Sequence, residues 1–164
     1  MRCAFARAAP GRKTVMDDIA LDASLFDALG GHPTLQRVHK VFYDKLYAHP
    51  WLKQFFDGVP RTVIEGQQTD FMAQCMGGPE RYCGRLPAYA HQHMFITAEL
   101  FELRHAMLGA SLLECDVPDA LRLRWLKIDY AFKRRLVKES PADCTGRYKS
   151  EAVVVIAKPW TPGS

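Results

Sequence analysis

An all-α fold follows from three features of the 164-residue chain. Apolar residues recur at helical spacing through its middle. Strand alternation is nearly absent there, and the breaks between periodic stretches carry caps, glycines and prolines. Taken in order, Ser24 is placed to cap a short helix, "LFDAL", that stops at Gly30 and Gly31. Pro33 opens a second helix, "PTLQRVHKVFYDKLYA", with Leu35, Val38, Phe42 and Leu46 on one face. Pro50 begins a short turn, "PWLKQFF". Thr62 followed by Glu65 reads as a capping box before "VIEGQQTDFMAQCM", which ends at Gly77, Gly78 and Pro79. A short helix is expected from about Pro87 to His93. Thr97 caps a long helix to about Cys115. Asp116 and Pro118 open the last one, with the stripe Leu121, Trp125, Ile128, Phe132 and Leu136.

The length suits one domain with a real core. Hydrophobic residues make up 48% and charged residues 24% of the chain, as in ordinary globular proteins. No apolar run is long enough to span a bilayer, so no membrane role is expected. The five cysteines, Cys3, Cys75, Cys83, Cys115 and Cys144, are odd in number and contain no CxxC pair. Free thiols in a reducing compartment, the cytoplasm, are therefore expected, with no disulfide framework or zinc site. The net charge of +4 has a local origin. The first fifteen residues hold Arg2, Arg7, Arg12 and Lys13 and no acid, and without them 18 basic residues face 18 acidic ones. That balance gives no reason to invoke nucleic acid. The segment lacks a signal peptide's apolar core and is too poor in serine to read well as a transit peptide. Residues 1–22 are expected to be a disordered extension with the true start at Met16. Residues 23–139 form the helical domain. Residues 140–164 form an appendage whose one strand-prone run is Val153 to Ile156.

A few residues break the apolar pattern. Gln68 stands in the stripe Ile64, Phe71, Met72, Cys75, and a buried amide left unpaired costs about 1–3 kcal/mol. By itself it fits a core glutamine bonded to backbone as well as it fits a ligand contact. Tyr43, beside Phe42, is equally open, since most such tyrosines pack the ring and send the hydroxyl to water. His91 and His93 lie two apart in "AYAHQHMFIT". On a helix they point to nearly opposite faces, so one facing a pocket would leave the other facing water. Arg104 lies on the stripe Phe101, Leu108, Leu112 with no acid three or four residues away. Its guanidinium needs a carboxylate from another helix, an anionic group, or a route along the apolar surface to water.

Together the runs "LFDALGGHPTL", "FYDKLYAHPWLKQFF", "QQTDFMAQCMGGPERYCG" and "AHQHMFIT" resemble a truncated haemoglobin, nearest to group I, over about Leu25 to Val137. The order, the gaps and both Gly-Gly hinges agree. The resemblance implies a two-over-two helical sandwich enclosing haem b over residues 23–139. It also implies that His91, five residues before Ile96 and followed there by Thr97, binds the iron. His93 would then lie off the iron axis. Phe55, Phe56, Tyr82, Ile96 and Phe101 would line the haem, and Arg85 (or Arg81) would meet a propionate. Tyr43, Ile64, Gln68, Met72 and Arg104 would form the distal pocket. Two positions depart from the usual globin picture: Ile64 stands where many globins place a distal histidine, and Arg104 where the family commonly has an apolar residue or tryptophan.

What the resemblance implies is reversible binding of dioxygen or another diatomic gas. Tyr43 would supply an O–H and Gln68 an N–H to the ligand, while Ile64, Phe71 and Met72 keep water away. The alternatives are a nitric oxide dioxygenase, which needs a reductase partner, and a cofactor-free helical interaction module whose polar core residues are structural.

Overall fold

Glycine geometry sets the first corner: Gly30 and Gly31 take φ values of 86° and 72°, in the left-handed region that favours glycine. A computed structural model describes residues 23–160. The expectations for the 1–22 extension, the start at Met16 and the Cys3 thiol lie outside the described residues. Ser24 caps α1 (Leu25–Ala28) through the Asp27 amide. Pro33 sits in the first turn of α2 (His32–Ala48), and a 3-10 turn follows at Leu52–Phe56. Next come α3 (Arg61–Cys75) and α4 (Pro87–Ala90). The Thr97 hydroxyl caps α5 (Ala98–Glu114) through the Leu100 amide. The chain then passes Asp116 at φ 55° into α6 (Asp119–Ala131) and α7 (Lys133–Leu136).

Three expectations are corrected here. Thr62 is not a cap, because α3 begins one residue earlier, behind Pro60, and no side chain caps it. Glu65 instead pairs with Arg61, which also reaches Asp44 on α2. The helix expected through His93 ends at Ala90, so the opposite-face rule does not govern the two histidines. The final stripe is also interrupted: α6 stops before Phe132 and the chain re-enters as the single turn α7.

Helix α2 packs against α3 and α5, and α5 against α6. From α2 come Leu35, Val38, Phe42 and Leu46; from α5, Leu108 and Leu112; from α6, Trp125, all almost wholly buried. Each Leu, Val or Phe so placed contributes roughly 1.5–3 kcal/mol of apolar transfer. Polar residues also enter this core. The His39 Nδ1 of α2 lies 2.8 Å from the Thr69 hydroxyl of α3, a bond buried between the two helices.

Beyond α7 the chain turns back along the segment before α5. Val154 forms an isolated parallel bridge with Met94, and the Trp51 indole donates to the Ile156 carbonyl at 3.1 Å. Cys75, Cys83, Cys115 and Cys144 are all free thiols. Among the described residues no helix is long and apolar enough to cross a membrane.

Candidate functional site

His91 closes α4 as its C-terminal cap residue. Its Nδ1 lies 2.8 Å from the Pro87 carbonyl oxygen, which can only accept, so Nδ1 carries the proton. Nε2 therefore keeps its lone pair. Burial holds this imidazole below the ordinary histidine pKa, with Arg104 and Lys138 adding in the same direction against the Pro87 bond. A neutral imidazole of fixed tautomer with a bare Nε2 is the form in which histidine binds a metal.

His93 is placed differently from the expectation that the second histidine faces water. It is only 3% exposed, because the returning C-terminal segment covers it. Its Nε2 lies 3.9 Å from Glu151, and its Nδ1 is buried without a partner.

Tyr43 points into the core at 4% exposure. Burial raises the phenol's pKa, so it stays a protonated donor. Its ring meets Phe42 edge-on at 5.3 Å and Phe56 at 5.9 Å, and Phe56 in turn stacks on Tyr47. Gln68 on α3 is half-buried, while Met72, one turn on, is fully buried. Ile64, Phe55, Phe56, Phe71 and Ile96 are partly buried against the core. Tyr82 packs edge-on to Phe71 at 5.1 Å and donates to the Arg85 carbonyl at 2.5 Å. The Arg85 guanidinium is engaged by Tyr148, donating to its hydroxyl at 2.7 Å and lying over its ring. Phe101 is buried against His105 and Tyr130.

Arg104 finds the carboxylate from another helix: it pairs with Asp129 of α6 and lies 4.8 Å over the Phe42 ring. The other Asp129 oxygen meets His105 Nδ1 at 2.8 Å. Burial alone would raise Asp129, but Arg104 and His105 hold it below its ordinary value. The positive charge of Arg104 acts on both Tyr43 and His91, opposing the rise of the phenol's pKa and adding to the depression of the imidazole's. Asp129, His39 and Thr69 belong to no motif in the sequence. The available signal was their position on apolar helix faces, since Asp129 falls four residues after Trp125 and His39 four after Leu35.

The donor set fits a haem. The half-buried His91 imidazole offers Nε2, Tyr43 keeps a protonated phenol, and Ile64, Phe55, Phe56, Phe71 and Ile96 supply partly buried apolar surface against the core. No group of three or more His, Cys, Asp or Glu suited to a bare metal ion occurs among the described residues.

Comparison with known proteins agrees with this reading. Residues 24–133 match the family model for bacterial-like globin. A group 1 truncated hemoglobin GlbN of Mycolicibacterium paratuberculosis is 35% identical over 96 residues, which cover 58% of this chain and 71% of that protein. A group 1 truncated hemoglobin of Tetrahymena pyriformis is 32% identical over 98 residues, covering 60% and 81%. The crystal structure of the truncated hemoglobin from Tetrahymena pyriformis in its Fe(III) form superposes with a TM-score of 0.67 at 27% identity. That match covers 71% of this chain and all of the other. The all-α fold is thus the two-over-two helical sandwich, and the chain belongs to the bacterial-like globin family, among the truncated hemoglobins.

Proposed function

We propose that this chain binds haem b through His91 and holds dioxygen, or another diatomic gas, reversibly at that haem. The observation that carries the reading is the 2.8 Å bond from His91 Nδ1 to the Pro87 carbonyl. It fixes the tautomer, leaves Nε2 free and keeps the ring from turning. His91 Nε2 would hold the haem, which would supply an iron able to bind a diatomic gas.

The protein's own work is then to donate, to pack and to exclude. Tyr43 is kept protonated by burial, so its O–H can donate to a ligand that gains negative charge on binding. Gln68, on the same side of the core as Met72, offers a second donor. Ile64 and Met72 keep water from the ligand, and the flexible Met72 can move aside for a small gas. Phe55, Phe56, Ile96 and Phe101 supply apolar packing for the haem, with Tyr82 at its edge. Arg85 would have to leave Tyr148 to meet a propionate.

The test is the absorption spectrum of the purified protein reconstituted with haemin. The expected result is a Soret band that shifts with dithionite, and again on adding carbon monoxide or dioxygen. Stoichiometric mixing that leaves the spectrum of free haemin would overturn the proposal.

A further inference from the structure

We infer that Lys138–Ile156, beyond the part of the chain that matches the globin family model, is a strap that positions His91 by pairing with the backbone of residues 91–96. This rests on the reading of His91 as the haem ligand.

After α4 ends, residues 91–96 make only two turn bonds of their own, Met94 to His91 and Ile96 to Met94. The strap supplies most of the others. The Lys138 ammonium donates to the carbonyls of His91 at 3.0 Å and Met94 at 2.7 Å, and the Lys138 amide donates to Ile96. The Thr145 amide donates to the Gln92 carbonyl, and the Gln92 side chain answers by donating to Gly146. Val154 closes the set, its amide donating to His93 at 2.8 Å while its carbonyl accepts from Phe95 at 2.9 Å. Five of the six carbonyls from His91 to Ile96 thus accept from the strap. One of them belongs to the histidine itself.

The geometry implies a division of labour. Pro87 orients the His91 ring from within α4, and the strap fixes the backbone from which the ring projects. A loop without these bonds would exchange them for water and sample several positions, moving Nε2 with it. The far end of the strap is anchored on the core, where Trp51 donates to Ile156. Lys138 and Val154 are therefore positioning residues, acting on the iron only through His91.

The test uses the full-length, haem-reconstituted protein with Lys138→Met, which keeps the stem and removes the ammonium, and Val154→Pro, which removes one amide donor outside every helix. Haem transfer to excess apomyoglobin should quicken by roughly 10–100-fold, the usual effect of losing an outer-shell partner of a metal ligand. The iron–histidine stretching band of the ferrous protein should shift or broaden, and Lys138→Arg should restore it. In the haem-free protein, amide exchange at Phe95 and Ile96 should rise while that of α2 stays unchanged. If exchange rises but haem transfer and the stretching band keep their wild-type values, the strap does not position the histidine and the proposal is overturned. Wild-type protein that takes up no haem overturns the underlying reading, and the strap's role with it, before any variant is compared. Should one variant fail to give a helical circular dichroism spectrum, the other decides.

Discussion

Arg104 of α5 pairs with the buried Asp129 of α6, and its guanidinium lies over the ring of Phe42, the neighbour of Tyr43. Asp129 is 5% exposed and fully satisfied by Arg104 and His105, so the pair is a closed unit. Removing Asp129 leaves the Arg104 charge without its carboxylate, and removing Arg104 leaves the buried Asp129 with His105 alone. We expect Asp129→Asn to destabilise the fold by about 3 kcal/mol, the low end for a buried pair because the Arg104 side chain is 25% exposed. Urea unfolding measures this. Replacing both residues with leucine should cost clearly less than the sum of the two single changes.

The same pair yields a prediction for ligands. Its charges nearly cancel at the site, so each single variant unmasks one sign. Asp129→Asn should tighten binding of azide and cyanide to the ferric protein, and Arg104→Leu should weaken it. Carbon monoxide on the ferrous protein should respond far less to either. Equal effects of the two variants on anions, in direction and size, would mean that the pair acts only through packing.

His91 and His93 should separate cleanly. His91→Ala should abolish or gravely weaken haem binding, since Nε2 has no substitute. His93→Ala should leave the Soret band nearly unchanged while lowering thermal stability, because His93 is buried under the strap rather than exposed. The two melting curves and two spectra decide it, and the reverse pattern would shift the ligand by two residues.

Three helix boundaries were legible because their causes are local. Gly30 and Gly31, the Thr97 cap and the Gly77 stop each act within a few residues. The capping box at Thr62 misled because Glu65 had a better partner in Arg61, itself drawn to Asp44 across the helix pair. Arg104's need for a partner could be read from its apolar stripe, but the identity of Asp129, 25 positions away, could not. The strap was least legible. Val153 to Ile156 reads as strand-prone, yet its partner, the stretch 91–96, has no alternation of its own and is paired mostly by its carbonyls.

Tyr43→Phe keeps the ring and removes only the buried hydroxyl. Dioxygen should dissociate faster by roughly one to two powers of ten, as expected for a charge-assisted bond of about 1.5–3 kcal/mol. Gln68→Leu should act in the same direction, and the double variant should fall short of the product of the two. Carbon monoxide, less polar when bound, serves as the control. Stopped-flow dissociation measures all four proteins, and an unchanged dioxygen rate in the double variant would remove both residues from the ligand's surroundings.

Acid sensitivity should trace in large part to His39. Its Nδ1 is tied to Thr69, its Nε2 is buried without a partner among the described residues, and burial pushes its pKa from 6.5 down to about 3, with Arg104 adding to the depression against Asp129. The unfolded chain takes up this proton below its ordinary value, whereas the folded protein refuses it until far lower pH. Stability is therefore complete above about pH 6.5 and falls on acidification, by about 1.4 kcal/mol per pH unit for this residue within the window. His91 and His93, also held low by burial, contribute with the same sign, so the His39 share must be isolated by difference. Asp129 enters only near and below the ordinary carboxylate range, because its own pKa is depressed. His39→Leu removes the titrating group and leaves Thr69 free to bond a carbonyl of its own helix. Urea midpoints measured from about pH 6 to about pH 4.5 should slope less steeply in the variant, by up to about 1.4 kcal/mol per pH unit. Equal slopes would show that His39 takes up its proton in the folded state, using Asp129 as the counter-charge that already pulls its pKa upward.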